Sequence, residues 1–185
     1  MTDLWQLPQE LTVGGRAYPI RADFRQVLRV LEVLEDPALP EFLRWQVALN
    51  LFYREDIPRQ HRQEAASVLA DFLTCGQEST PGPKLLDWQQ DAALIISDVN
   101  RVAGKELRQE GFVHWWTFLG WFHAIGEGQL RDVVGIRDKC SRGRPLEPWE
   151  QEFYRRNRDR VDLKRRCTPD QRQEKQRLIA MLEGR

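Results

Sequence analysis

Eleven residues, Phe112 to Phe122, hold six large aromatics: Phe112, Trp115, Trp116, Phe118, Trp121 and Phe122. At about 100° per residue these positions cover more than one side of a helix, and a helix apolar nearly all round has to sit inside a fold rather than on it. The rest of the chain must therefore supply amphipathic elements to cover this one. It has the material: 185 residues, 41% hydrophobic and 30% charged, suit one globular domain and are too apolar for a disordered chain.

The covering elements can be read from spacing. Leu11-Thr12-Val13, Gly14-Gly15 and Arg16-Ala17-Tyr18 read as a short hairpin, since two glycines tolerate the positive φ of a primed turn. Asp23, with Gln26 three residues on, forms an N-capping arrangement for a helix carrying Phe24, Val27, Leu28, Leu31 and Leu34, which stops near Asp36-Pro37. Phe42, Trp45, Leu49 and Phe52 mark a second amphipathic helix, and Ala65, Val68, Leu69 and Phe72 a third ending by Cys75-Gly76. The stretch Gly76 to Pro83 is the clearest loop. Beyond it, Asp87 with Gln90 predicts a cap for a helix of about four to five turns bearing Trp88, Ala92, Ile95, Val99 and Val102 on one face. After the aromatic segment come a helix with Leu130, Val133, Val134 and Ile136, and an exposed loop at Ser141-Arg142-Gly143-Arg144-Pro145. A helix started by Pro148 and bearing Trp149 and Phe153 follows, then a last one capped at Thr168-Pro169-Asp170-Gln171 with Leu178, Ile179, Met181 and Leu182 on its apolar face. The expected fold is mainly α: a compact multi-helix domain over residues 1–185 with a short N-terminal β-hairpin. Two subregions fall within it, 1–76 with the hairpin and three helices, and 84–185 with the aromatic-rich helical half and a basic C-terminal part.

Catalytic and metal motifs are not assembled in the sequence. His114 and His123 lie nine apart, not at the i, i+4 spacing of a helical zinc pair, and Gly126-Glu127-Gly128 lacks the third glycine of a dinucleotide loop and reads as a helix-to-helix turn. Asp87, Asp91, Asp98, Asp132 and Asp138 suit caps and solvated faces as well as a hydrolytic metal site. Cys75, Cys140 and Cys167 are odd in number and widely spaced, which fits a reducing compartment. The expectation is a non-enzyme with no cofactor and no metal.

Charge is unevenly spread. Residues 1–110 hold 12 Lys/Arg against 17 Asp/Glu, residues 111–185 hold 16 against 11, and the net formal charge is zero. The densest basic stretch is Arg155, Arg156, Arg158, Arg160, Lys164, Arg165 and Arg166, a candidate nucleic-acid surface that the interleaved Glu150, Glu152, Asp159 and Asp162 would partly neutralise. The aromatic residues have two readings: Trp115, Trp116, Phe118, Trp121 and Phe122, with Trp88, can form a core or anchor a partner helix in an apolar groove. No apolar run approaches a membrane span, the longest clear one being Ala92 to Ile96, and the start Met1-Thr2-Asp3-Leu4-Trp5 lacks a signal pattern, so no membrane partner and a cytoplasmic location are expected.

The order of pieces resembles a known family. The N-terminal hairpin is followed by Asp23-Phe24-Arg25 and a helix ending at Cys75-Gly76; then come Asp87-Trp88-x-x-Asp91-Ala92, His114-Trp115-Trp116-x-Phe118, Ile136-Arg137 and a basic tail with Phe153-Tyr154. Together these resemble the tail-assembly chaperone-like proteins encoded among the tail genes of long-tailed bacteriophages and prophages, the bacteriophage gene product fifteen family. One departure is Val102-Ala103-Gly104-Lys105, where the family tends to have a Tyr-Gly-Ile-like segment. The resemblance implies a helper in the bacterial host cell that shields the tape-measure protein, together with another tail-assembly chaperone or with copies of itself, and is absent from the mature virion. The alternatives are a structural head-to-tail or tail-completion protein and a nucleic-acid-binding regulator.

Overall fold

The computed structural model describes residues 5–77 and 82–164. It is mainly α, with one two-stranded antiparallel sheet among the described residues. Strand β1 (Glu10–Val13) pairs with β2 (Arg16–Pro19), Leu11 opposite Tyr18, and the turn between them places Gly14 and Gly15 at φ +57° and +77°. Both positive angles are what a two-residue primed turn requires. The alternation of the strands buries Leu11, Val13 and Tyr18 on one face. The tip is pinned: Glu64 Oε1 accepts the Gly14 N–H at 3.0 Å, and a Cβ at Gly14 would stand 2.5 Å from the His61 ring.

Helix α1 (Phe24–Leu34) begins where expected, though Asp23 caps it through the Arg25 N–H (3.0 Å) rather than through Gln26. Its buried residues Phe24, Val27 and Val30 follow the i, i+3, i+6 spacing of one face. Helix α2 (Glu41–Phe52) packs against it and presents Ala48, Leu49 and Phe52 to the core. Phe42, expected on that face, is 69% exposed, because it lies in the first turn, before the helix reaches the core. Helix α3 (Arg62–Leu73) ends at Cys75 and Gly76, both at positive φ, with the Gly76 N–H donating to Asp71 O at 2.8 Å.

The Asp87 helix needs correction. Asp87 Oδ1 accepts the N–H groups of Gln89 and Gln90, both at 3.0 Å, but this closes a turn over residues 88–91, and helix α4 (Ala92–Ala103) starts after it with twelve residues. Gly104 at φ +67° ends α4. The aromatic helix α5 is Trp115–His123, so Phe112 lies outside it and is 51% exposed. Helices α6 (Gln129–Ser141), α7 (Pro148–Arg156) and α8 (Arg158–Val161) complete the described chain. Pro148 opens α7 within a reciprocal Glu147/Glu150 capping box, while Trp149, expected on the apolar face, points out at 54% exposure. The helix expected after Thr168 lies outside the described residues, as do Cys167, Arg165 and Arg166.

One large core draws on both sides of residues 78–81, from Leu11 of the hairpin to Leu130 of α6. Helix α5 is at its centre: Trp115, Phe118 and Leu119 are buried, Phe118 stacks on Phe24 of α1 with ring centroids 4.8 Å apart, and Trp115 stacks on Phe118 at 5.5 Å. The indoles also solve a polar problem, because the last carbonyls of a helix have no partner within it. Trp115 Nε1 donates to Leu73 O at 3.0 Å and Trp116 Nε1 to Phe72 O at 2.9 Å, so α5 closes the end of α3. A second, smaller cluster, Val133, Ile136 and Val161, holds α6 and α8 together.

Candidate functional site

The turn at 88–91 gives Trp88 its position. Its ring leans on Phe122 (centroids 5.1 Å), Trp115 (5.9 Å) and Phe118 (6.3 Å), and it is half-buried. From there an apolar groove runs between α1 and α4. Phe24 and Leu28 line it on one side, Ala92, Ala93 and Ile96 on the other, with Phe118 and Trp88 beneath, in a volume of about 310 Å³. It continues into a depression of about 420 Å³ that shares Leu28, Trp88 and Ala92 and is rimmed by Arg29, Glu32 and Glu35. Arg108 stands at the opposite end. An apolar trough with a rim of both charge signs is the form in which an amphipathic helix is received.

Polar contacts brace the walls. Lys84 bridges the two sides, its ammonium 2.6 Å from Glu35 of α1 and 3.2 Å from Asp87. Burial works against a charged Asp87, but the Gln90 N–H, the Lys84 ammonium and the Gln89 N–H outweigh it and hold the carboxyl at about 2. Behind the turn, Asp91 accepts the Asp87 N–H at 2.9 Å and forms a two-pronged pair with Arg137 of α6, Nη1 to Oδ2 at 2.7 Å and Nη2 to Oδ1 at 2.9 Å. Arg137 Nε donates to Val161 O (2.6 Å), Nη1 also to Leu85 O (2.9 Å) and Nη2 also to Arg160 O (2.8 Å), so all five guanidinium protons have an acceptor.

The six aromatic candidates do not form one surface. Trp88 and Phe118 line the groove, and Phe122 supports Trp88. Trp115 is 1% exposed and belongs to the core rather than to a contact face. Trp116 faces elsewhere, into a cavity of about 660 Å³ between β1 and α3 that is also lined by Leu11, Val68, Phe72 and Cys75. Burial pushes the Cys75 thiol up to about 11, leaving it protonated and poorly nucleophilic at neutral pH. Trp121 carries the Lys105 ammonium 5.5 Å from its ring centroid. Spacing alone did not single out Leu28, Ala93 and Ile96 as groove residues. The available signal was an apolar set on α1, including Leu28 and Leu31, wider than the buried set Phe24, Val27 and Val30.

His114 is 2% exposed with both ring nitrogens engaged: Nδ1 accepts the Trp116 N–H at 3.1 Å, capping α5, and Nε2 meets Pro8 O at 3.0 Å. Burial lowers its pKa against the opposing pull of the Pro8 carbonyl, so the imidazole is neutral at physiological pH. Among the described residues no three His, Cys, Asp or Glu are placed to hold a metal ion. Besides Asp87 and Asp91, two more acidic candidates are engaged structurally: Asp98 accepts the Leu130 N–H (3.3 Å) and pairs with Arg101, and Asp138 pairs with Arg142, whereas Asp132 lies in the first turn of α6.

In the basic stretch, Arg156 pairs with Glu152 at 2.5 Å and Arg158 with Asp162 at 3.1 Å, while Arg155, Arg160 and Lys164 have exposed positions. Tyr154 donates to Asp162 at 2.8 Å, and that bond with the Arg158 contact lowers the Asp162 pKa. Among the described residues no helix is long and apolar enough to cross a membrane.

The family model described as "Bacteriophage Gp15 protein" matches residues 4–163. No curated protein and no solved structure matches the chain.

Proposed function

From the premise that this chain belongs to the bacteriophage Gp15 protein family, we propose that it is a non-enzymatic tail-assembly chaperone that shields helices of the tape-measure protein until the tail tube forms around them. The observation that carries this reading is the α1/α4 groove, apolar along its floor and lined by Trp88, Leu28, Ala92 and Phe118. A tape measure exposes long amphipathic helices that would otherwise self-associate, and an apolar trough can cover such a stripe. Shielding has to be reversible. Modest affinity at each groove, repeated by many copies along one long ligand, gives strong coverage that arriving tube subunits can strip away one copy at a time. No step of that cycle needs bond chemistry.

Co-expression with the tape-measure product of the same gene cluster tests the reading. The expected result is a higher soluble yield of the tape measure and a complex that co-purifies and survives moderate salt, since apolar contacts are not screened by ions. Mass spectrometry of finished particles should then lack this protein. A tape measure that stays insoluble at every salt concentration, with this protein present in mature particles, would replace the chaperone by a structural tail protein. A complex with nucleic acid that weakens steeply with salt would favour the regulator through Arg155 and its neighbours.

A further inference from the structure

Strand β1 keeps one edge open. Pro19 stands opposite Glu10, has no N–H to give, and turns its carbonyl away from β1 to accept the Arg54 N–H at 2.9 Å, so these two form the kind of cross-strand pair that exchanges no hydrogen bonds. One residue earlier, Gln9 O accepts the Ile20 N–H at 3.0 Å. The alternation of an antiparallel ladder then turns the backbone groups of Leu11 and Val13 toward β2 and those of Glu10 and Thr12 outward. At the tip the Glu64 carboxylate takes the Gly14 N–H, but among the described residues nothing bonds the outward N–H and C=O of Glu10 and Thr12. The far edge of β2 is closed instead, by the Arg54 N–H on Pro19 O and the bridge from Ile20 to Tyr53. The open edge faces the cavity of about 660 Å³ against α3, which Glu10, Leu11 and Thr12 line on the strand side and Val68, Phe72 and Trp116 across from them. Glu10 and Asp71 stand exposed at its rim, and no Lys or Arg lines it.

We propose that this edge receives an extended, basic segment of a partner protein as an added antiparallel strand, and that the segment carries, in chain order, a Thr or Val, an apolar residue and a Lys or Arg. The order follows from the register. Its first residue lies opposite Thr12 and its third opposite Glu10, each exchanging both backbone bonds with the residue it faces. A β-branched side chain beside Thr12 and a cation beside Glu10 are favourable pairs on the outer face. The middle residue lies opposite Leu11 on the inner face, so its side chain enters the trough over Val68, Phe72 and Trp116 and has to be apolar. Asp71 adds a second negative charge from the α3 side. A second copy of β1 is the poorer occupant, because about a two-fold axis its Thr12, not a cation, meets Glu10, and its own carboxylates add to the negative rim. The trough shares no lining residue with the α1/α4 groove, so one chain can hold a helical partner and an extended one together. The strand site does not rest on the tape-measure reading.

The full chain is titrated with the capped peptide Gly-Thr-Thr-Leu-Lys-Thr-Gly and followed by NMR amide exchange. Saturable binding that slows exchange at the Glu10 and Thr12 amides, with residues 92–96 unaffected, is expected. Methylating the peptide nitrogen of the Lys, or of the Thr just before the Leu, removes a ladder donor and should weaken binding at least about ten-fold, whereas methylating the Leu nitrogen, which points away from β1, should change it by no more than about three-fold. In the full chain Glu10→Lys should weaken this peptide about two- to five-fold and strengthen by a similar factor the peptide with Glu in place of its Lys. Four results overturn the proposal: no binding at millimolar peptide, a loss that ignores which nitrogen is methylated, Glu10 and Thr12 amides already protected before peptide is added, or a dimer of the chain that protects the same amides.

Discussion

The two packed regions of this molecule are held by different physics. Around α5 the contacts are apolar and aromatic, with Phe24, Trp115 and Phe118 stacked and the indole N–H groups closing α3. Where α6 meets α8 the apolar cluster has only three fully buried members, and a guanidinium with five hydrogen bonds joins Asp91, Leu85, Arg160 and Val161. An apolar core tolerates small adjustments because dispersion and burial are not directional. A buried ion pair does not, since removing one partner leaves the other charged and desolvated.

The largest effect expected is nonetheless in the aromatic region, because deleting a whole ring removes far more buried apolar surface than a small adjustment does. Phe118→Ala should cost about 3–5 kcal/mol, the range for deleting a large aromatic from a core, and thermal denaturation should show the whole domain melting earlier. Arg137→Met should cost about 3 kcal/mol by stranding Asp91, with amide exchange accelerating first in α7 and α8 while α5 stays protected. The double variant Asp91→Leu with Arg137→Met sharpens the contrast: it should recover more than half of that loss, because the desolvated charge goes too. A single-step unfolding that releases α5 and α8 together in Arg137→Met would break the distinction between the regions.

The sequence made the apolar faces of both regions legible and hid the ion pair that joins the second. Periodicity exposes apolar faces, so the hairpin, α1, α3 and the aromatic helix could be read from Gly14-Gly15, Asp23 and the spacing of Phe118 and its neighbours. Periodicity is silent about which buried charge meets which, and Asp91 and Arg137 lie 46 positions apart. Arg137 was visible only within the family-like pair Ile136-Arg137, and Asp91, besides its place in Asp87-Trp88-x-x-Asp91-Ala92, suited a cap, a solvated face or a metal site rather than a buried ion pair. The misplaced helix start has a related cause, since Asp87 makes the backbone contacts of an N-cap while closing a separate turn. The groove was anticipated as a kind of site, but its walls come from α1 and α4 meeting, which no single-helix pattern contains.

Acid probes the joint more gently. Asp87 is held at about 2 against an ordinary value of 3.8, so its contribution is complete above about pH 4 and is lost as the pH falls toward 2. Stability should drop by about 1–2 kcal/mol across that window, and Asp87→Asn should flatten the drop in urea titrations. His114 adds a smaller slope at milder acidity: its lowered pKa means that acidification below about 6.5 favours the unfolded chain. The smallest effect is expected at Phe42, exposed in the first turn of α2, where Phe42→Ser should shift stability by no more than about 0.5 kcal/mol by chemical denaturation.

Ala92 and Ala93 line the groove, yet both are exposed at the start of α4, so enlarging them fills the trough without entering the core. The full chain with Ala92→Arg and Ala93→Glu, titrated calorimetrically with an amphipathic helix of the tape measure, should melt within about 1 °C of the parent and lose at least about ten-fold in affinity, the equivalent of 1.4 kcal/mol. Parental affinity in this variant, with its melting unchanged, would contradict the account by placing the partner somewhere other than the α1/α4 groove.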